Sequence, residues 1–309
     1  MRIVLVDPSR TVLRIVTKLI EQGQHEVRPF VDGRAALDYI KSDAEVRALI
    51  TSTEPESISG VGLCAEARSL ASSRRPLYII VMSSSDDKHH IVSALDHGAD
   101  DFISKPPIPE ELSARLRAAD RVTSMQRELI HNATTDFLTG VFNRRAFFEM
   151  AAHVCARAQT GAPLSAIMCD IDHFKNINDV HGHQAGDIVL RGVAAAAKSL
   201  GQVIGRLGGE EFCFLVQLPL EEAVRFAESF RVTIADLRFE SGSEKLSITC
   251  SFGVAQWQPG DTIDRLLRAA DIALYEAKVD GRNRVVSADQ GADASPHQEW
   301  RGVTRIGRG

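Results

Sequence analysis

No stretch of this sequence is apolar for long enough to cross a bilayer. The opening, MRIVLVDPSR, has too short an apolar run and no cleavage pattern for a signal peptide. The expectation is a cytoplasmic protein with no membrane insertion. No two cysteines stand in a C-x-x-C spacing. Cys64, Cys155, Cys169, Cys213 and Cys250 are scattered, mostly within apolar runs, and read as buried small hydrophobes in a reducing compartment. Positive charge is not in excess either: 36 Lys and Arg stand against 41 Asp and Glu, a net charge of -5. That removes any global field for nucleic acid or anionic lipid, so a phosphate ligand needs a local site. No internal repeat relates the two halves.

What is present suits two soluble domains. The chain has 309 residues, 44% hydrophobic and 25% charged, enough for two separate cores. Through residue 108, RIVLV, HEVRPF, VRALIT and LYIIVMS read as strands, with helical patterns near 10–22, 33–41, 60–72 and 86–97. Strands alternating with helices predict a doubly wound parallel sheet with its sites at the strand C-termini. Pro109-Glu110-Glu111 opens a helix, 109–133, that overlaps the end of the first domain (1–120) and continues as a connector. Its stripe of Leu116, Ala119, Val122, Met125 and Leu129 fits either packing on its own sheet or a short coiled coil.

The second domain spans 134–287. LSAIMCDI, VIGRL, EFCFLVQL and LSITCSFGVAQ read as strands, and helical patterns cover about 143–158, 185–199, 221–236 and 263–278. A hairpin at Gly208-Gly209 demands an antiparallel pair, so this sheet is predicted to be mixed. Residues 288–309 are poor in apolar side chains and read as a disordered tail.

The chemistry concentrates in the second domain. Arg206-Leu207-Gly208-Gly209-Glu210-Glu211-Phe212 places two acids after a tight turn. Strand alternation would send Glu210 and Glu211 to opposite faces. Met168-Cys169-Asp170-Ile171-Asp172 ends an apolar strand in acids. Asp170 facing Glu211 would suit Mg²⁺, which takes one or two carboxylates and fills its shell with phosphate oxygens and water. The 263–278 helix closes at Gly281, flanked by Lys278 and Arg282, cations in reach of phosphates or merely complementing a helix C-terminus. His181 and His183 read as structural, since two ligands do not make a zinc site.

These residues resemble the GGDEF diguanylate cyclases. The blocks are Asp136-Phe137-Leu138-Thr139-Gly140 with Asn143-Arg144-Arg145, DIDHFKNIND at 170–179, GHQAGD at 182–187, GGEEF at 208–212 and ADIALYEAKVDGRN at 270–283. The resemblance implies condensation of two GTP into cyclic di-GMP and two pyrophosphates by a homodimer. It implies Mg²⁺ or Mn²⁺, two per GTP site, at Asp170, the Ile171 carbonyl and Glu211, with Glu210 as ligand or general base near the ribose 3′-hydroxyl. Asn178 and Asp187 would read guanine. Phe174 and Lys175 would lie by the triphosphate, with Lys175 also acting in catalysis, and Lys278 and Arg282 would neutralise charge. The family's product-binding RxxD motif falls on Ser199 and Gln202, and the interval between Asp187 and Gly208 holds no acid to supply a shifted one.

Residues 1–120 resemble response-regulator receivers, most clearly over Ser93–Pro106. Asp7 keeps one of the usual acids but Pro8 replaces its neighbour. Ser83 and Lys105 fit the hydroxyl and lysine positions. The phosphoacceptor falls on Thr51, counted from Pro55, or Ser52, counted from Gly60; neither is an acid. Glu54 and Glu56 lie beyond the strand end. A degenerate receiver is expected, serving dimerisation or answering to a protein or ligand. Three readings stand together: an active cyclase, an inactive nucleotide-binding receptor, and a regulator whose output is protein binding.

Overall fold

The computed structural model describes residues 1–288, except 54–56, 72–74, 85–87, 201 and 242–243; the side chains of 88–91, 241 and 244 are also outside the description. The expected tail from 289 on, with Glu54 and Glu56, lies outside the described residues. Two compact units are present, Met1–His131 and Asn132–Gly309.

The first unit runs β1 (Arg2–Val6), α1 (Arg10–Gln22), β2 (Glu26–Phe30), α2 (Gly33–Ser42), β3 (Val46–Ser52), α3 (Gly60–Leu70), β4 (Tyr78–Ser83), α4 (Lys88–Asp96), β5 (Asp101–Ser104) and α5 (Pro109–Thr134). All strand pairs are parallel, in the order β2-β1-β3-β4-β5, as the alternation of strands and helices predicts. Side-chain alternation divides the core into two layers. Val4, Val6, Leu49, Ile79 and Val81 pack with Leu37 and Ile40 of α2 and Leu63 of α3. Ile3, Leu5, Ile50, Ile80 and Met82 pack with Leu13, Val16 and Ile20 of α1 and Leu112 and Leu116 of α5. Side-chain oxygens of Ser9, Asp32 and Ser59 cap α1, α2 and α3, satisfying otherwise orphaned first-turn N–H groups.

The apolar stripe of α5 divides. Leu112, Leu116, Ala119 and Thr123 are buried, whereas Val122, Met125 and Leu129 are exposed. Thr123, not Val122, continues the inward face because Arg47 from β3 reaches its hydroxyl at 2.9 Å and the Asp120 carbonyl at 3.0 Å. The first half of α5 therefore packs on its own sheet.

The second unit runs β6 (Phe142–Asn143), α6 (Arg144–Ala158), β7 (Ser165–Ile171), α7 (Phe174–His181), α8 (His183–Lys198), β8 (Val203–Gly208), β9 (Glu211–Val216), α9 (Leu220–Asp236), β10 (Phe239–Ser241), β11 (Glu244–Leu246), β12 (Cys250–Gln256), α10 (Ile263–Val279) and β13 (Val285–Ser287). The sheet order is β13-β12-β7-β9-β8-β6. Its four central strands pair antiparallel and its two edges parallel, so it is mixed. β7 is buried throughout. One face packs on α8 and α9 through Phe212, Phe214, Phe230 and Phe252; the other packs on α6 and α10 through Phe147, Met168, Leu215 and Leu274.

The run LSITCSFGVAQ reads as one strand, but the structure divides it. Leu246 pairs with Phe239 in the β10–β11 hairpin, and β12 begins only at Cys250, opposite Ile171. Apolar alternation simply continues across a change of partner. Helix α7 also lies where no helix is predicted, since its eight residues carry only Phe174 and Ile177 as an inward face.

Candidate active site

The β7–β9 register places Asp170 directly opposite Glu211. Cross-strand partners share a face, with Cβ atoms about 5 Å apart. Burial pushes both carboxyls above the usual carboxylate range; the Asp170 charge raises Glu211 further, and the charges of Glu210 and Asp172 raise Asp170. The offset comes from α10, whose Lys278 Nζ sits 2.7 Å from Asp170 Oδ2. Such a pair of desolvated carboxylates held by one lysine is a site with surplus negative charge, suited to a hard cation. Among the described residues no three His, Cys, Asp or Glu side chains form a closed metal cluster, so a metal here needs further oxygens from its ligand.

Glu210 belongs to the turn, not to β9, so strand alternation does not fix its direction as the sequence suggests. Its charge raises both Asp170 and Glu211, which brings it into the same field. Of the two turn glycines only Gly209 has positive φ (48°); Gly208 ends β8. Arg206 holds the turn. Its Nε donates to the Gly209 carbonyl at 2.8 Å and its Nη1 to Asp136 Oδ1 at 3.0 Å. The same Asp136 oxygen accepts from the Thr139 amide and hydroxyl.

The other candidates surround this centre. His173 starts α7 in the left-handed region (φ 57°) with no side-chain cap, so the first-turn amides are left for an anion. Phe174 is buried beneath that turn and Lys175 is exposed. Asn178 lies against α8 at Gly186, where a Cβ would stand 2.0 Å from its Oδ1. Asp187 is half-buried, with Arg191 at 3.8 Å. Past α10, Gly281, Arg282 and Asn283 all have positive φ (112°, 61° and 47°), and the exposed Arg282 donates its N–H to the Ala277 carbonyl at 2.9 Å. Asp271 escaped the sequence reading. It sits on α10 with its carboxyl raised by burial, and its charge acts on Glu211. Its seven-residue spacing from Lys278, on one helix face, was the available signal.

In the first unit, Asp7, Thr51, Ser52 and Ser83 are buried at the C-terminal ends of β1, β3 and β4. Lys105 Nζ pairs with Asp7 Oδ2, and Asp7 Oδ1 accepts the Ser9 amide at 2.9 Å. Val6 is opposite Thr51, so the next step of the parallel register sets Ser52 alongside Asp7. All five cysteines are free and buried. Among the described residues no helix is long and apolar enough to cross a membrane.

A parallel unit with an acid–lysine pair at its strand ends, followed by a mixed-sheet unit with paired carboxylates at a hairpin, defines a two-domain α/β protein. Residues 3–117 match the response regulator receiver domain, and residues 133–284 match the diguanylate cyclase, GGDEF domain. The response regulator PleD of Caulobacter vibrioides is 36% identical over 301 residues, covering 92% of this chain and 65% of PleD. The chain thus spans just under two thirds of that relative's length. The coiled coil and GGDEF domain of DgcB from Caulobacter crescentus, solved with c-di-GMP, is 32% identical with a TM-score of 0.53, covering 57% of this chain and 97% of that one. Diguanylate cyclase SiaD of Pseudomonas aeruginosa, solved with its activator SiaC, is 36% identical with a TM-score of 0.50, covering 58% and 72%. The chain belongs to the GGDEF family, its GGDEF domain preceded by a receiver domain.

Proposed function

We propose that this protein is a diguanylate cyclase of the cytoplasm, acting as a homodimer on two GTP molecules. The carrying observation is the register that sets Asp170 opposite Glu211 beside the Gly209-Glu210 turn. Mg²⁺ or Mn²⁺, two per GTP, would be held by Asp170, Glu211 and the Ile171 carbonyl. When bound it would neutralise charge at the α-phosphate and acidify the attacking hydroxyl. The 3′-oxygen of one GTP bonds to the α-phosphorus of the other, the bond to the β-phosphate breaks, and pyrophosphate leaves. A second such step closes the ring.

The chain's own residues divide that work. Glu210, at the turn, accepts the 3′-hydroxyl proton or shares in metal ligation. The uncapped first turn of α7, at Phe174 and Lys175, receives the phosphates with N–H groups and a cation. Lys278, paired with Asp170 here, would serve the triphosphate when that carboxylate holds a metal, joined there by Arg282. Asn178 and Asp187 take the guanine edge, whose N1–H and N2–H donors suit a carboxylate; adenine offers an acceptor at N1 and leaves Asp187 unpaired. Each GGDEF domain holds one GTP, so turnover needs two domains face to face.

The receiver domain is read as degenerate. Ser52 or Thr51 stands where an acyl phosphate would form, Pro8 removes one acid, and Lys105 is already paired with Asp7. Control then passes through a protein or ligand acting on this domain, or through the pairing of two copies. Incubation with GTP and Mg²⁺ followed by nucleotide chromatography tests the reading. Cyclic di-GMP is expected from GTP and no cyclic dinucleotide from ATP alone. GTP that binds and is recovered unchanged would make the domain a nucleotide receptor instead.

A further inference from the structure

Asp172 takes no part in the chemistry above, yet it is a buried carboxylate (5% exposed) two residues beyond Asp170. Every oxygen has a partner. Oδ1 accepts the Ser251 hydroxyl at 2.7 Å; Oδ2 accepts the Thr249 hydroxyl at 2.7 Å and the Asn283 backbone N–H at 3.1 Å. Its own N–H donates to the Thr249 carbonyl at 2.9 Å. Thr249 and Ser251 belong to the approach and start of β12. Asn283 does not: it closes the turn that presents Arg282.

That turn needs holding. Arg282 and Asn283 are successive non-glycine residues in the left-handed region. Such backbone persists only where the surroundings over-determine it. Behind the turn, Arg282 N–H satisfies the end of α10. Ahead of it, Val285 pairs with Phe252. At its centre the Asn283 side chain accepts from Arg231 at 2.7 Å, and Arg231 is itself tied to Glu228 at 2.6 Å. The Asn283 N–H is taken by Asp172, at the end of β7.

We infer that Asp172 is a positioning residue: it fixes the Gly281–Asn283 turn to the end of β7 so that Arg282 is aimed at the triphosphate. Two acids two residues apart then hold the end of α10 in different ways. Asp170 holds Lys278 by an ion pair that a bound metal would weaken. Asp172 holds the turn by hydrogen bonds that persist while Lys278 moves. The fixed tether keeps one phosphate cation in register while the other changes partner. The inference rests on the GTP reading of this site.

The test uses the whole 309-residue chain and 3′-deoxy-GTP with Mg²⁺, a probe that lacks the attacking hydroxyl and so binds without reacting. Guanosine, which has no phosphates, is the second probe. Asp172→Asn is expected to weaken 3′-deoxy-GTP roughly tenfold and leave guanosine affinity unchanged. Arg282→Ala should do the same, and the double variant should be no worse than Arg282→Ala alone, since neighbours acting through one contact are non-additive. Thr249→Val, a milder change that leaves the carboxylate in place, should show the same bias toward the triphosphate if Asp172→Asn fails to fold. Equal loss for guanosine, or additive losses in the double variant, would overturn the positioning role while leaving GTP binding intact. Failure of the wild-type protein to bind 3′-deoxy-GTP would remove the underlying nucleotide reading, and this inference with it.

Discussion

Gly186→Ala separates the demands of the fold from those of the site. Gly186 lies inside α8, where alanine ordinarily gains about 1 kcal/mol of helix stability. A Cβ there would meet Asn178 Oδ1 at 2.0 Å and the Phe174 ring at 3.1 Å. Carbon and oxygen settle no closer than about 3.3 Å, so the Asn178 amide must retreat by about 1.3 Å. Asn178 is half-buried and has room to turn, whereas the Phe174 ring is buried and must yield a little, at a cost of about 1 kcal/mol. The helix gain and the ring strain nearly cancel, and the melting temperature should change by only a few degrees. Guanine recognition gains nothing in return. Losing an oriented amide costs about 1–3 kcal/mol, or roughly 5- to 150-fold in affinity. Calorimetric titration with 3′-deoxy-GTP, beside thermal melts, reads both quantities. A folded Gly186→Ala protein that binds with wild-type affinity would refute the guanine role of Asn178 and the reason offered for the glycine.

Asp170→Asn and Glu210→Gln should each lower cyclic di-GMP formation by more than about a hundredfold while melting as cooperatively as the parent, the cost of several kcal/mol expected for a lost group at a phosphoryl-transfer centre; near-normal turnover by either would sink that assignment. The carboxyls of Asp170 and Glu211 are raised above their usual range by burial first and by neighbouring charge second, so the folded state favours their protons. Their contribution is most favourable at low pH and is lost as pH rises from the ordinary carboxylate range through the raised values. Melts in EDTA should show wild type losing stability relative to Glu211→Gln over that rise, and a difference that does not change with pH would contradict the burial argument. Acetyl phosphate or beryllium fluoride, each with Mg²⁺, should leave cyclase rate and self-association unchanged, and activation lost on replacing Asp7 or Lys105 would show that the receiver still takes a phosphoryl group.

Periodicity sufficed for much of the fold because the strands are buried in simple ways. β1, β3 and β4 are apolar on both faces and alternate with helices, which already implies a parallel sheet. The hairpin at Gly208-Gly209 likewise implies the mixed sheet. The misreadings have local causes. Helix α7 carries too few apolar positions to show a period. The β10–β11 hairpin and β12 share one unbroken alternation. On α5 the switch from Val122 to Thr123 depends on Arg47, 76 residues away. Within the site, Asp170 and Glu211 were legible as acids at a strand end and a hairpin, and their pairing is the β7–β9 register made visible. The work of Asp172 was not legible, because its partners at Thr249, Ser251 and Asn283 are polar residues with no spacing that marks them. Asp271 had a signal, its seven-residue spacing from Lys278, but it stands among the other charged positions of an amphipathic helix.

The product made from GTP distinguishes a cyclase from a nucleotide receptor most directly. The purified 309-residue chain incubated with GTP and Mg²⁺ should yield cyclic di-GMP and pyrophosphate in a ratio of one to two, with specific activity rising as protein concentration brings two domains together. GTP recovered intact at every protein concentration, from protein shown to be folded, would contradict it.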